Sequence, residues 1–87
     1  GDELAGLTLV FTGALEEFTR DEAQSLVERH GGTAAGSVSG NTDYLVAGDN
    51  PGATKREAAE EEDVPIIDET EFLGLLDERG VDIETDE

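Results

Sequence analysis

Two segments of the chain begin alike, Thr19-Arg20-Asp21-Glu22 and Thr54-Lys55-Arg56-Glu57. A Thr followed three residues later by Glu forms a capping box, in which each side chain satisfies a free backbone donor of the other, so both segments predict helix starts. The second residue of each pattern is the unexpected one. A helix N-terminus carries partial positive charge and free N–H groups, so Arg or Lys in its first turn is mildly disfavoured. Arg20 and Lys55 are nevertheless two of only five cations in the chain. Cations held against a helix dipole make sense if they share a bound anion with it.

The elements around these residues follow from apolar runs and breakers. Leu7 to Thr12, Thr33 to Ala35, Tyr44 to Ala47 and Pro65 to Ile67 are short and bounded by Gly, Asn, Asp or Pro, as buried strands are. Helix one runs from Thr19 to Gly31-Gly32 with an apolar stripe of Ala23, Leu26, Val27 and the His30 ring, and Phe18 is placed to staple onto Ala23. A second helix runs from Thr54 to about Glu62. A third opens at Asp68-x-x-Glu71, with Ile67 against Phe72, and presents Phe72, Leu75 and Leu76 before Gly80. The order β-α-β-β-α-β-α predicts an α/β fold with a mainly parallel sheet covered on both faces. Residues 4–79 are expected to form one domain and 80–87 an acidic tail.

In such a sheet both cation-bearing helices start from the carboxyl edge of the strands, where these folds bind ligands. Thr12 and Gly13 lie on that edge; Thr12 offers a hydroxyl, and Gly13 lets a phosphate approach the backbone. The plainer explanation also stands at this stage: a strand Thr, a turn Gly and solubilising surface cations.

The overall charge bears on this choice. The 87 residues carry 23 acids against 5 Lys or Arg, a net of −18. Residues 1–56 hold 9 acids and 4 bases, whereas residues 57–87 hold 14 acids and 1 base. Such acidity repels nucleic acid in dilute buffer. At about 1 M salt, however, the Debye length is only about 3 Å, so diffuse repulsion is screened. Together with a single Lys, this predicts a halophilic source with a high-salt cytoplasm. The absence of Cys excludes disulfides and thiolate chemistry. No run approaches the roughly 20 apolar residues of a membrane span, so a soluble, cytoplasmic domain without membrane contact is expected.

Other chemistry finds little support. Gly48 to Lys55 has the wrong spacing for a nucleotide-hydrolysing phosphate loop, and Thr precedes Lys. Glu60-Glu61-Glu62-Asp63 lacks the alternation and Gly of a calcium loop. His30, at a helix end, is read as a capping or packing residue. No metal, cofactor or catalytic residue is expected.

Leu4 to Gly13, Thr19 to Ala23, Gly31-Gly32, Ser37 to Ser39, Thr42 to Gly48 and Ile66 to Glu69 together resemble a BRCT domain, over a match from about Leu4 to Leu76. The resemblance is strongest to the subgroup at the C-terminus of NAD-dependent DNA ligases and in the large subunit of replication factor C. It implies a four-stranded parallel sheet with two helices on one face and one on the other. It also implies a pocket for a DNA 5′-phosphate, whose positions are held here by Thr12, Gly13, Arg20 and Lys55. The subgroup's second Lys is replaced by Ala58; Arg56 is the candidate to compensate. A Trp common in the last helix is replaced by Phe72. The implied function is non-catalytic: recognition of 5′-phosphorylated or nicked DNA for a replication or repair protein, weak alone and salt dependent, by a domain monomeric in isolation. The alternatives are a protein-interaction module, including one for phosphopeptides, and a scaffold whose pocket is vestigial.

Overall fold

The computed structural model describes residues 2–81. Seven elements follow in order: β1 (Thr8–Thr12), α1 (Arg20–Arg29), β2 (Thr33–Ala35), β3 (Tyr44–Ala47), α2 (Ala53–Glu61), β4 (Ile66–Ile67) and α3 (Glu69–Glu78). The four strands form one parallel sheet in the order β2-β1-β3-β4. Pro65 precedes β4 and contributes only its carbonyl, which accepts from Leu45 N–H at 2.9 Å. That is the one backbone hydrogen-bonding group a proline has.

Strand parity divides the core. Leu9, Phe11 and Val46 point to one face, where Ala23, Leu26 and Val27 of α1 and Phe72 and Leu76 of α3 cover them. Val10 and Leu45 point to the other and meet Ala59 of α2 and Val64. Two helices therefore cover one face and one the other, as expected. Phe72 is fully buried, its ring edge-on to Phe11 at 5.3 Å and to Phe18 at 6.3 Å. It occupies the core position expected of it in place of Trp. Leu73 also packs on this core, a contact the face Phe72, Leu75 and Leu76 did not include.

The helix ends repeat one device. After α1, Gly31 (φ +87°) returns its N–H to Glu28 and Gly32 to Val27; after α3, Gly80 bonds Asp77 and Val81 bonds Leu76. These left-handed caps satisfy carbonyls that the helix leaves open. After α2 the left-handed residue is Asp63 (φ 58°), followed by a bond from Val64 to Ala59. The α3 cap corrects the expected tail: Val81 is buried at 5% exposure, because the cap turns it back onto the core. Residues 82–87 of that tail lie outside the described residues. His30 is the C-cap of α1, and its Nδ1 lies 2.8 Å from Glu3 Oε1. This bond holds the Glu3 carboxyl below its ordinary range. The contact fastens the N-terminal segment, whose Leu4 is fully buried.

Candidate functional site

Strand order reverses at β1, which pairs with β2 on one side and β3 on the other. The crossover helices α1 and α2 leave on opposite faces, so a crevice opens beyond the carboxyl ends of β1 and β3. An open cleft of about 840 Å³ lies there, lined by Thr12, Gly13, the loop to Thr19, Arg20, Glu22, Asp49, Asn50 and Gly52.

Thr12 shares the parity of Val10 and so faces α2. Its hydroxyl, 4% exposed as a residue, accepts from Gly52 N–H at 2.8 Å and keeps its own proton to donate. Gly13 has φ +83°, and a Cβ there would stand 2.5 Å from Asp49 O. Only Gly fits this turn, which is pinned by reciprocal 2.9 Å bonds between Ala14 and Asp49. Arg20 is the first residue of α1 and exposed. The capping box ahead of it has formed, with Glu22 N–H to Thr19 Oγ1 at 3.1 Å and Thr19 N–H to Glu22 Oε1 at 2.9 Å.

The start of α2 differs from expectation. Gly52 is the N-cap, with no side-chain bond, and Thr54 lies inside the helix. The cause is tertiary: Thr12 holds Gly52 at the cap position, so the helix begins before the Thr that local sequence favours. Lys55 is also not the solubilising surface cation of the plainer explanation. It is half-buried, and its Nζ donates to the Phe11 carbonyl at 3.4 Å. Lys55 thus anchors beside the end of β1 while Thr12, Gly13 and Arg20 line the cleft. Neither Lys55 nor Arg56 is among the residues lining it, and Arg56 is exposed one position further along α2.

Sequence reasoning missed the acidic part of the cleft: Glu16, Glu17, Glu22 and Asp49 line it around the single cation Arg20. It also missed Asn50, at φ 52° immediately before Pro51. No spacing signal marked either. Among the described residues no cluster of His, Asp or Glu could hold a metal ion, and no helix is long and apolar enough to cross a membrane.

The family model for the BRCA1 C Terminus (BRCT) domain matches residues 1–76. The chain belongs to the BRCT family. Among its relatives, the DNA ligase of Halorubrum lacusprofundi is 64% identical over 93% of this chain and 11% of its own length. That of Haloferax volcanii is 62% identical over 93% and 11%, and that of Salinibacter ruber 55% over 91% and 11%. The BRCT chain thus spans about a tenth of the length of these relatives, and halophiles dominate among them. A solved structure of Rad4 BRCT1,2 in complex with a Crb2 phosphopeptide superposes with a TM-score of 0.75 at 20% identity, over 92% of this chain and 44% of that one. Another, of Rad4 BRCT1,2 with an Mdb1 phosphopeptide, gives 0.74 at 19% identity, over 98% and 48%. Both share the BRCT fold described above.

Proposed function

We propose that this BRCT domain is a non-catalytic module of an NAD-dependent DNA ligase that engages the 5′-phosphate of a DNA end or nick. The observation that carries the reading is the convergence of Thr12, Gly13 and Arg20 on one cleft at the strand-order switch, with Lys55 adjoining it. The Arg20 guanidinium would hold phosphate oxygens through its planar fork, Thr12 and the Gly13 N–H would donate hydrogen bonds, and Lys55 would supply a nearby point charge. Arg56, exposed on α2, would meet the neighbouring backbone phosphate. Such contacts fix position and carry no base sequence. The chemistry of ligation belongs to other parts of the ligase. The setting is the nucleoid in a high-salt cytoplasm, where screening lets an acidic domain approach DNA.

A second reading, phosphopeptide recognition by the same cleft, is favoured by the phosphopeptide complexes of the Rad4 structures. Titrating the isotope-labelled domain in molar KCl separates the two, using duplex with a 5′-phosphate, the same duplex ending in hydroxyl, and a phosphoserine peptide. Resonance shifts at Thr12, Gly13, Arg20 and Lys55 with phosphorylated duplex alone are the expected result. Equal responses to both duplexes overturn the DNA reading, and a response to peptide alone transfers the site to the second.

A further inference from the structure

Glu69 is the first residue of α3, and an acid there complements the helix dipole. Its carboxylate does more than that. Oε1 accepts from Glu16 N–H and Oε2 from Glu17 N–H, each at 2.7 Å, across 53 and 52 residues of sequence. Two consecutive amides aimed at one carboxylate form a small anion cradle, and this one is filled by the chain's own side chain. Charge-assisted bonds of this length belong to the stronger class.

Glu16 and Glu17 belong to the loop between β1 and α1, which walls the cleft between Gly13 and Arg20. That loop is fastened at several points, Leu15 among them, which packs on the core. Ala14 is bonded to Asp49 at its start, and Phe18 lies against Phe72 at its end. Glu69 holds its middle. Glu69 itself does not line the cleft. Resting on the phosphate-binding reading, we propose that Glu69 is a positioning residue of the cleft, whose carboxylate fixes the β1–α1 loop and with it the placement of Arg20 relative to Thr12 and Gly13.

The proposal has a sign that simple electrostatics reverses. Glu69 is a negative charge near an anion site, so removing it should strengthen phosphate binding if charge were its whole effect. If Glu69 positions the loop, removing it weakens binding. In Glu69→Gln the amide retains the shape, but its NH₂ faces one of the two N–H groups and that bond is lost. Glu17→Gln is the matching control, since it deletes a carboxylate from the cleft wall and leaves the backbone donor in place. Binding of 5′-phosphorylated duplex in molar KCl is expected to weaken roughly tenfold in Glu69→Gln, the equivalent of one lost charge-assisted hydrogen bond, and to strengthen in Glu17→Gln. Strengthening in both variants overturns the proposal.

A ligand-free measurement keeps this independent of the functional reading. Amide exchange at Glu16 and Glu17 should accelerate at least about tenfold in Glu69→Gln, with resonances from Thr12 to Arg20 displaced and amides in the last turns of α3 unchanged. Unchanged exchange at Glu16 and Glu17 overturns the positioning role even if phosphate binds. Accelerated exchange in a domain that ignores phosphate supports the loop restraint and sinks only the phosphate-binding reading.

Discussion

At the start of α1, Thr19 and Glu22 bond each other's backbone N–H groups, and Arg20 follows in the cleft wall. At the start of α2 the same letters recur, yet Thr54 is exposed within the helix, Gly52 takes the cap position, and Lys55 turns back onto the Phe11 carbonyl. The difference lies in what each helix start is tied to. The entry to α1 is governed by its own residues. The entry to α2 is governed by Thr12, 40 residues upstream, through the bond to Gly52. A capping box is a local bargain worth about 1 kcal/mol, and a tertiary hydrogen bond of similar size overrides it when the chain arrives bent by Asn50 and Pro51. The residue that ends β1 therefore also sets where the helix carrying Lys55 begins.

The largest effect should come from cutting that tether. Thr12→Val keeps the buried shape and removes the acceptor, leaving Gly52 N–H without its partner, at a cost of about 1–2 kcal/mol. Chemical denaturation should show the loss, and amide exchange should place it at the first turn of α2. If exchange rises equally at α1, the two helix starts are coupled and the contrast between them fails. Thr19→Ala should cost about 1 kcal/mol by removing one half of a formed capping box, with exchange rising at Glu22 and not at Lys55.

How far the chain was legible from its sequence follows the same division between local and distant causes. The capping boxes at Thr19 and Asp68, the stop at Gly31-Gly32, and the alternation that sends Leu9 and Val10 to opposite faces are written in neighbouring residues, and each was readable. So was the gathering of Thr12, Gly13 and Arg20, because the order of elements alone brings strand ends and helix starts to one edge. The bond from Thr12 to Gly52, the burial of Val81 and the grip of Glu69 on Glu16 and Glu17 depend on contacts between distant segments. No spacing encodes those. Lys55 shows the limit most clearly: its position in the first turn was legible, whereas the half-burial of its side chain depends on the end of β1.

The smallest effect sharpens the comparison most. Thr54 has the sequence signature of a cap, so a reading from local pattern assigns Thr54→Ala the same loss as Thr19→Ala. In the structure Thr54 is exposed inside α2 and caps nothing. Its replacement should fall within about 0.5 kcal/mol of the parent, as surface substitutions do. The sign should favour Ala, which loses no side-chain entropy and does not compete for backbone groups within a helix. Thermal or denaturant unfolding of Thr19→Ala and Thr54→Ala side by side provides the check. A loss near 1 kcal/mol in Thr54→Ala would mean that α2 begins at its local cap in solution and that Gly52 is not held by Thr12.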